Sequence, residues 1–376
     1  MNPTNSMLRQ RVLPIFGAAV LAFSSMNAIA QTGADLPRST VETISVSPAQ
    51  RDQITQFVDA WAPKIQSDDP QGTKRAIEAL TKPLASRGVS IAFRQAYTQT
   101  VSGLLDRLEA DQSVSAKLSA LRLAGDLATP EAVDIIISGI QDDDLGVSLF
   151  AVSRAGRALE VTQTLGPAIT GSDARKLIQS VLDLSNTPEA DPELVRAAAR
   201  TLAAGSALTN KDLADTRSQA IIALSDLVGS RLHQLSANDD PGFAQELSID
   251  AASSITRAVS DITAEITPQA ARAAVRLGGD IISVPLRRVV AKTIEPVAER
   301  QLTISSVQSG ETLLYFARKK AAELDGQSIS DIQTTKLAAQ LTAGEDRQFR
   351  NDAAALLGPG ATIVRAFNFA DDRFLF

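Results

Sequence analysis

The chain offers one imidazole and no thiol: His233 is the sole histidine, and cysteine is absent. Zinc sites of the His-Glu-x-x-His kind and multi-histidine metal centres therefore cannot be assembled, and thiolate catalysis, iron–sulfur clusters and cysteine-rich zinc sites are excluded with them. There is no Gly-x-Ser-x-Gly elbow, no Ser-x-x-Lys pair, no phosphate-cradling Gly-x-x-x-x-Gly-Lys loop and no full Gly-x-Gly-x-x-Gly fingerprint, since Gly358-Pro359-Gly360 lacks the third glycine. Carboxylates are plentiful, at 43 Asp and Glu, so acid–base hydrolysis by a carboxylate pair is the chemistry left open. Sugar-cleaving sites set such pairs among aromatic platforms, whereas this chain has one Trp and two Tyr. The expectation is a protein that is not an enzyme, with no catalytic residue, no cofactor and no metal.

Two clusters invite a metal or acid–base reading and are better explained by helix ends. Asp142-Asp143-Asp144 resembles a calcium-collecting run, but an EF-type loop needs alternating oxygen ligands and a glycine at its sixth position, where Val147 stands. Helix capping is the expected role of these carboxylates. His233 follows Arg231 and Leu232 near the end of a helical stretch, where a cation suits the helix dipole, and is expected to be a helix-terminus residue. A third cluster points to binding. Phe367, Phe369, Phe374 and Phe376 place four aromatics in the last ten residues, around Asp371-Asp372 and after the break Gly358-Pro359-Gly360. This tail, 361–376, either packs back onto the preceding helices or offers its phenylalanines to a partner.

The elements that would position these groups are helices. From Pro48 onward the chain is rich in Ala, Leu, Ile and Val, with Pro, Gly and Asp at short intervals, an all-α pattern of helical hairpins. Ile54, Phe57, Val58, Trp61 and Ile65 recur at helical spacing and form one stripe, which assigns Trp61 to the core. Ile255, Val259, Ile262 and Ile266 keep the same period. The stretches 118–127 and 133–140 are apolar on more than one side, as expected of helices buried between neighbours. Breaks at Asp68-Asp69-Pro70, Asp111, Asp142–Asp144, Asp191-Pro192 and Asp239-Asp240-Pro241 recur at roughly 30 to 50 residues, the range of two-helix repeats. Asp caps the free N–H groups of a helix start, and Pro suits the first turn because no amide bond is lost there.

Pro130-Glu131-Ala132-Val133, then Ile136, Ile140, the Asp turn, Val147, Ala151, Val152, Gly156 and Leu159 resemble one HEAT-type repeat. Asp191 to Leu202 is similar to the second half of another, with Arg196 in the family's arginine position and Ser148 replacing it in the first unit. The resemblance is best over residues 110–205. It implies a right-handed α-solenoid of stacked antiparallel helix pairs over 48–300, followed by a less regular helical region, 301–360. It implies also an interaction surface for a protein partner. Near the C-terminus, Thr303 to Lys319 is similar to the opening strand and first helix of a LysM module, which implies binding of cell-wall glycan, peptidoglycan in particular. The closing strand of that family is missing, and the other reading is a helix from Gly310 to Leu324 capped by Ser309.

Export is the remaining expectation. Arg9 and Arg11, the apolar run 15–23 and Ala28-Ile29-Ala30 read as a secretory signal peptide, 1–30, cleaved near Ala30/Gln31, with a polar, flexible leader at 31–47. The destination expected is periplasmic or secreted, with no membrane insertion. Losing residues 1–30 takes the formal net charge from −6 to −8. Such a chain repels phosphate backbones unless its cations gather on one face, so nucleic acid is not an expected partner.

Overall fold

Side-chain caps decide where the helices start. The computed structural model describes residues 35–65, 69–111, 113–293, 297–328 and 332–374. The segment read as a signal peptide and the terminal Phe376 lie outside the described residues. The helices are α1 Arg38–Val41, α2 Pro48–Ile65, α3 Pro70–Thr81, α4 Ile91–Ala110, α5 Val114–Leu127, α6 Pro130–Ile140, α7 Leu145–Leu165 and α8 Gly171–Ser185. They continue with α9 Pro192–Ser206, α10 Ala214–Gln234, α11 Gly242–Ser260, α12 Pro268–Ala291, α13 Val297–Leu324, α14 Leu337–Ala343, α15 Asp346–Leu357 and α16 Thr362–Ala366. No strand occurs among the described residues. Asp69, Asp144 and Asp191 cap α3, α7 and α9 as expected, and proline opens α3, α6, α9 and α12. Asp111 differs: it ends α4 and takes the Ser113 amide at 2.9 Å, leaving the Ser113 hydroxyl to cap α5.

The helices pack in two layers. One layer runs α2, α4, α6, α8, α10, α12 and the other α3, α5, α7, α9, α11, α13. Each helix touches its partner in the pair and the next helix of its own layer, so neighbouring pairs bury the faces that a lone hairpin would expose. The α2 stripe is in place, with Ile54, Phe57, Val58 and Ile65 buried and Trp61 packed at the core edge. The all-α architecture with stacked neighbouring helices is therefore established.

Three expectations change. The leader is folded in part: Thr40 and Val41 are buried, the Val41 carbonyl accepts the Ser90 amide at 3.1 Å, and the Thr40 hydroxyl meets Gln53 at 2.7 Å. Second, Thr303 to Lys319 lies wholly inside α13, so the opening strand of the LysM resemblance is absent. Thr303 and Ser306, three residues apart and hence on one helical face, set their hydroxyls against Gln245 at 3.1 Å and Ser248 at 3.2 Å of α11. Third, Ser309 sits mid-helix and caps nothing. Gly310 serves a close approach instead, because a Cβ there would stand 2.9 Å from Ile281 of α12.

Buried arginines tie the layers together. Arg94 of α4, fully buried, reaches the carbonyls of Leu127 at 3.4 Å, Leu165 at 3.3 Å and Gly166. Arg217 of α10 reaches those of Leu208 and Glu265, and Arg231 those of Ser185, Thr187 and Pro188. Arg287 of α12 takes Leu232 and Leu235, while its neighbour Arg288 takes Ala237 and Asp239. Leu127, Leu165, Ser185 and Leu232 are in last turns, where carbonyls lack an intrahelical donor, the other acceptors lie in the connections that follow or precede the helices, and a guanidinium can serve several at once. Arg94→Met should thus cost about 2–3 kcal/mol, because a charged donor is lost and buried acceptors stay unmet. Chemical denaturation checks this as a lower midpoint at unchanged slope. Arg94→Lys should recover only part of the loss, since an ammonium cannot fork to the separated carbonyls.

Candidate functional site

The aromatic tail packs against α12. Phe374 is fully buried and fills a notch at Gly279, where a Cβ would lie 2.6 Å from the ring Cζ. Phe369 meets Phe374 edge to face at 5.7 Å and stacks on Phe367 at 5.9 Å, and both are half-covered against the core. Phe374 is consequently not presented to a partner, which corrects that expectation: the missing side chain of Gly279 gives it a better site inside. Phe367 and Phe369 keep partial exposure. The neighbouring residue, Arg373, bonds the buried Asp280 carboxylate at 2.7 Å.

His233 sits in the last turn of α10, as expected of a helix-terminus residue. Its Nε2 also meets Asp280 at 3.2 Å, a partner 47 residues away that no local pattern signals. Asp280 thus joins α10, α12 and the tail. Beside it opens a cavity of about 810 Å³ whose lining includes His233, Leu235, Leu286, Val290, Arg350 and Phe374. Of the basic residues that line it, His233 and Arg287 belong to structural contacts already named, and Arg350 is the third.

A second surface carries more charge. The layer of α3, α5, α7 and α9 bears two adjoining hollows of about 380 and 520 Å³ that share Phe150. Lys74 and Arg122 line the first, while Arg154, Arg157, Arg196 and Arg200 line the second. The acidic residues lining them are Glu160 and Glu193, in the second hollow. Arg157 is held by Asp126 at 2.8 Å and Glu160 at 3.7 Å, and Arg196 by Glu193 and by Glu246 at 3.7 Å. Lys74, Arg122, Arg154 and Arg200 have no ion pair among the described residues. Arg154 lies over the Phe150 ring at 4.8 Å, and Arg196 over Phe243 at 5.3 Å. Burial lowers the Arg154 pKa, the nearby Asp126 opposing that shift and Arg122 and Arg157 adding to it. Of these cations the repeat pattern singles out Arg196 alone; the others follow no local motif. The signal was there as one cation per alternate helix, visible only once the layers are known.

The carboxylates near these hollows are engaged in local contacts. Glu160 and Glu193 are bound to arginines. Glu109, raised by burial first and by Asp106 and Asp134 second, shares a cavity of about 350 Å³ with Asp142. Asp142 in turn is held by Lys117 at 2.6 Å, which together with the Asp144 amide keeps its carboxyl below the usual range. Asp144 spends its own carboxylate on the Val147 amide, so the Asp turn is occupied with capping. Among the described residues no group of three His, Cys, Asp or Glu is placed to hold a metal, and no helix is long and apolar enough to cross a membrane.

No family model matches the chain, and no curated protein aligns with it. Among solved structures, the crystal structure of an engineered protein aligns over 71% of this chain and 97% of its own, at 17% identity and a TM-score of 0.40.

Gly279→Ala would force the Phe374 ring from its notch. Hydrogen exchange should then show lost protection across 361–374, with α2 to α9 unchanged because contacts run between neighbours. The loss in stability should be about 1.5–3 kcal/mol, the value of burying one Phe side chain.

Proposed function

We propose that this chain is an exported helical-repeat scaffold, a HEAT-like, right-handed α-solenoid that mediates protein–protein interaction in the cell envelope. The observation that carries the reading is the surface of α3, α5, α7 and α9, where two adjoining hollows set apolar side chains beside cations that have no ion pair among the described residues. A stack of helix pairs exposes one face of each helix in a layer, and successive helices extend that face into a long platform. Support for the HEAT type comes from α6 and α7, whose Pro start, Asp turn and small residues fall where the resemblance requires. Support for export comes from the composition of residues 1–30.

A photo-crosslinking side chain placed at Ser153, in the second hollow, should give one discrete protein adduct in the native cell envelope. The same group at Lys176, exposed on α8 in the other layer, should give none. Equal adducts from both positions, or none from either, would overturn the scaffold reading. Export is checked separately by N-terminal sequencing of the natively produced protein, which should begin near Gln31; an intact Met1 in the cytosol would refute it.

A further inference from the structure

We infer that the groove across α3, α5, α7 and α9 binds an acidic, extended polypeptide segment, with one carboxylate of the ligand set against each of Lys74, Arg122, Arg154 and Arg200. The inference rests on the scaffold reading and names its partner.

Charge complementarity is the first argument. The chain as a whole is acidic at −6, yet the hollows are lined by six cations and two carboxylates. Four of those cations have no ion pair among the described residues, and they fall one per helix on four successive helices of the same layer. Cations concentrated against the sign of the whole molecule leave a local positive field that Glu160 and Glu193, the two carboxylates lining the hollows, only partly offset.

Spacing is the second. Packed helices lie about 8–10 Å apart, so a cation on each successive helix recurs at about that interval. An extended chain advances about 3.3 Å per residue and covers this interval in about three residues. Carboxylates at every third position would meet the cations in register. The intervening residues would rest on Ile77, Leu118, Leu149 and Phe150, apolar side chains that line the same hollows.

The same features disfavour a nucleic acid. Its continuous phosphate charge would face the acidic body of the molecule beyond the groove, and Phe150 is the one aromatic lining the two hollows, which leaves no ladder for base stacking. Arginine over a phenyl ring suits a carboxylate partner well, because the guanidinium edge stays free to fork while its face is covered.

The test uses the full chain and a labelled peptide of about ten residues with Glu at every third position and Leu and Ser between them. Fluorescence anisotropy should show saturable binding that weakens as salt rises from about 0.01 M to about 0.15 M. Lys74→Glu with Arg200→Glu, both on exposed positions where folding is not at stake, should weaken binding at least tenfold. Arg122→Gln with Arg154→Gln should do the same, provided circular dichroism shows the fold intact. Binding that ignores the K74E/R200E change would overturn the inference. So would equal affinity for a peptide with Lys in place of Glu, or tighter binding to a single-stranded oligonucleotide or to phosphatidylcholine vesicles containing phosphatidylglycerol. If the acidic peptide fails to bind while the Ser153 crosslink persists, the scaffold reading stands and the acidic partner falls.

Discussion

The stack depends on guanidinium groups seated at the ends of neighbouring helices. Every helix end leaves carbonyls without an intrahelical donor, and a two-layer array turns many of those ends toward the next pair, away from water. Arg94, Arg217, Arg231, Arg287 and Arg288 meet that demand by reaching across to the chain ends of adjacent elements. Each links residues remote in sequence, such as Arg94 to Leu165, 71 positions on. Burying a cation is costly when it stands alone. Here the partial negative charge at helix C-termini offsets the cost; burial lowers the Arg94 pKa to about 10, which leaves that group charged near neutrality, and moves Arg217 in the same direction. With no cysteine in the chain, these contacts and apolar burial carry the cohesion between pairs.

What could be read from the residues follows from what periodicity measures. The stripe of Ile54, Phe57, Val58 and Ile65 identifies α2 because apolar spacing reports one buried face. Asp69, Asp144 and Asp191 identify helix starts because a short acceptor next to free amides has one inexpensive place to go. The buried arginines escape such reading, since a pattern of apolar against polar counts Arg as surface. Asp111 misled for a related reason: two acceptors, Asp111 and Ser113, compete for the amides at one helix start, and Ser113 takes the cap. The LysM likeness failed because the mixed β-branched and polar residues of 303–307 suit a short strand as well as a helix with one polar seam. Only the partner helix, with Gln245 and Ser248 facing that seam, decides between them.

The cationic hollows were legible only in fragments. Arg196 drew notice for its place in the repeat, yet it is among the neutralised cations, paired with Glu193 and Glu246. Lys74, Arg122, Arg154 and Arg200, which have no ion pair among the described residues, share no local motif. They align because alternate helices share a layer, a relation between elements that a linear reading does not contain. The same holds for Asp280, whose two partners, His233 and Arg373, come from opposite directions along the chain.

Stacked pairs raise a problem at the two ends, where the outermost helices have a neighbour on one side only. Both ends of the described array carry a short covering piece. At the first pair, α1 lays Val41 against the core and hydrogen-bonds the start of α4 through the Ser90 amide. At the last pair, α14 packs on α13, α15 packs on α12, and the tail inserts Phe374 at Gly279. Glu311 fixes α14 by accepting the amides of Leu337 at 2.7 Å and Ala338 at 3.0 Å. The packing of Phe374 fits a terminal cover: repeat arrays need atypical terminal units to cover the last apolar face, and phenylalanine supplies much apolar area from few residues. Its sequence stands out from the helices before it because its task differs from theirs. The interior of the array differs: there the alternate helices α3, α5, α7 and α9 each bring at least one cation to the face that stacking leaves open.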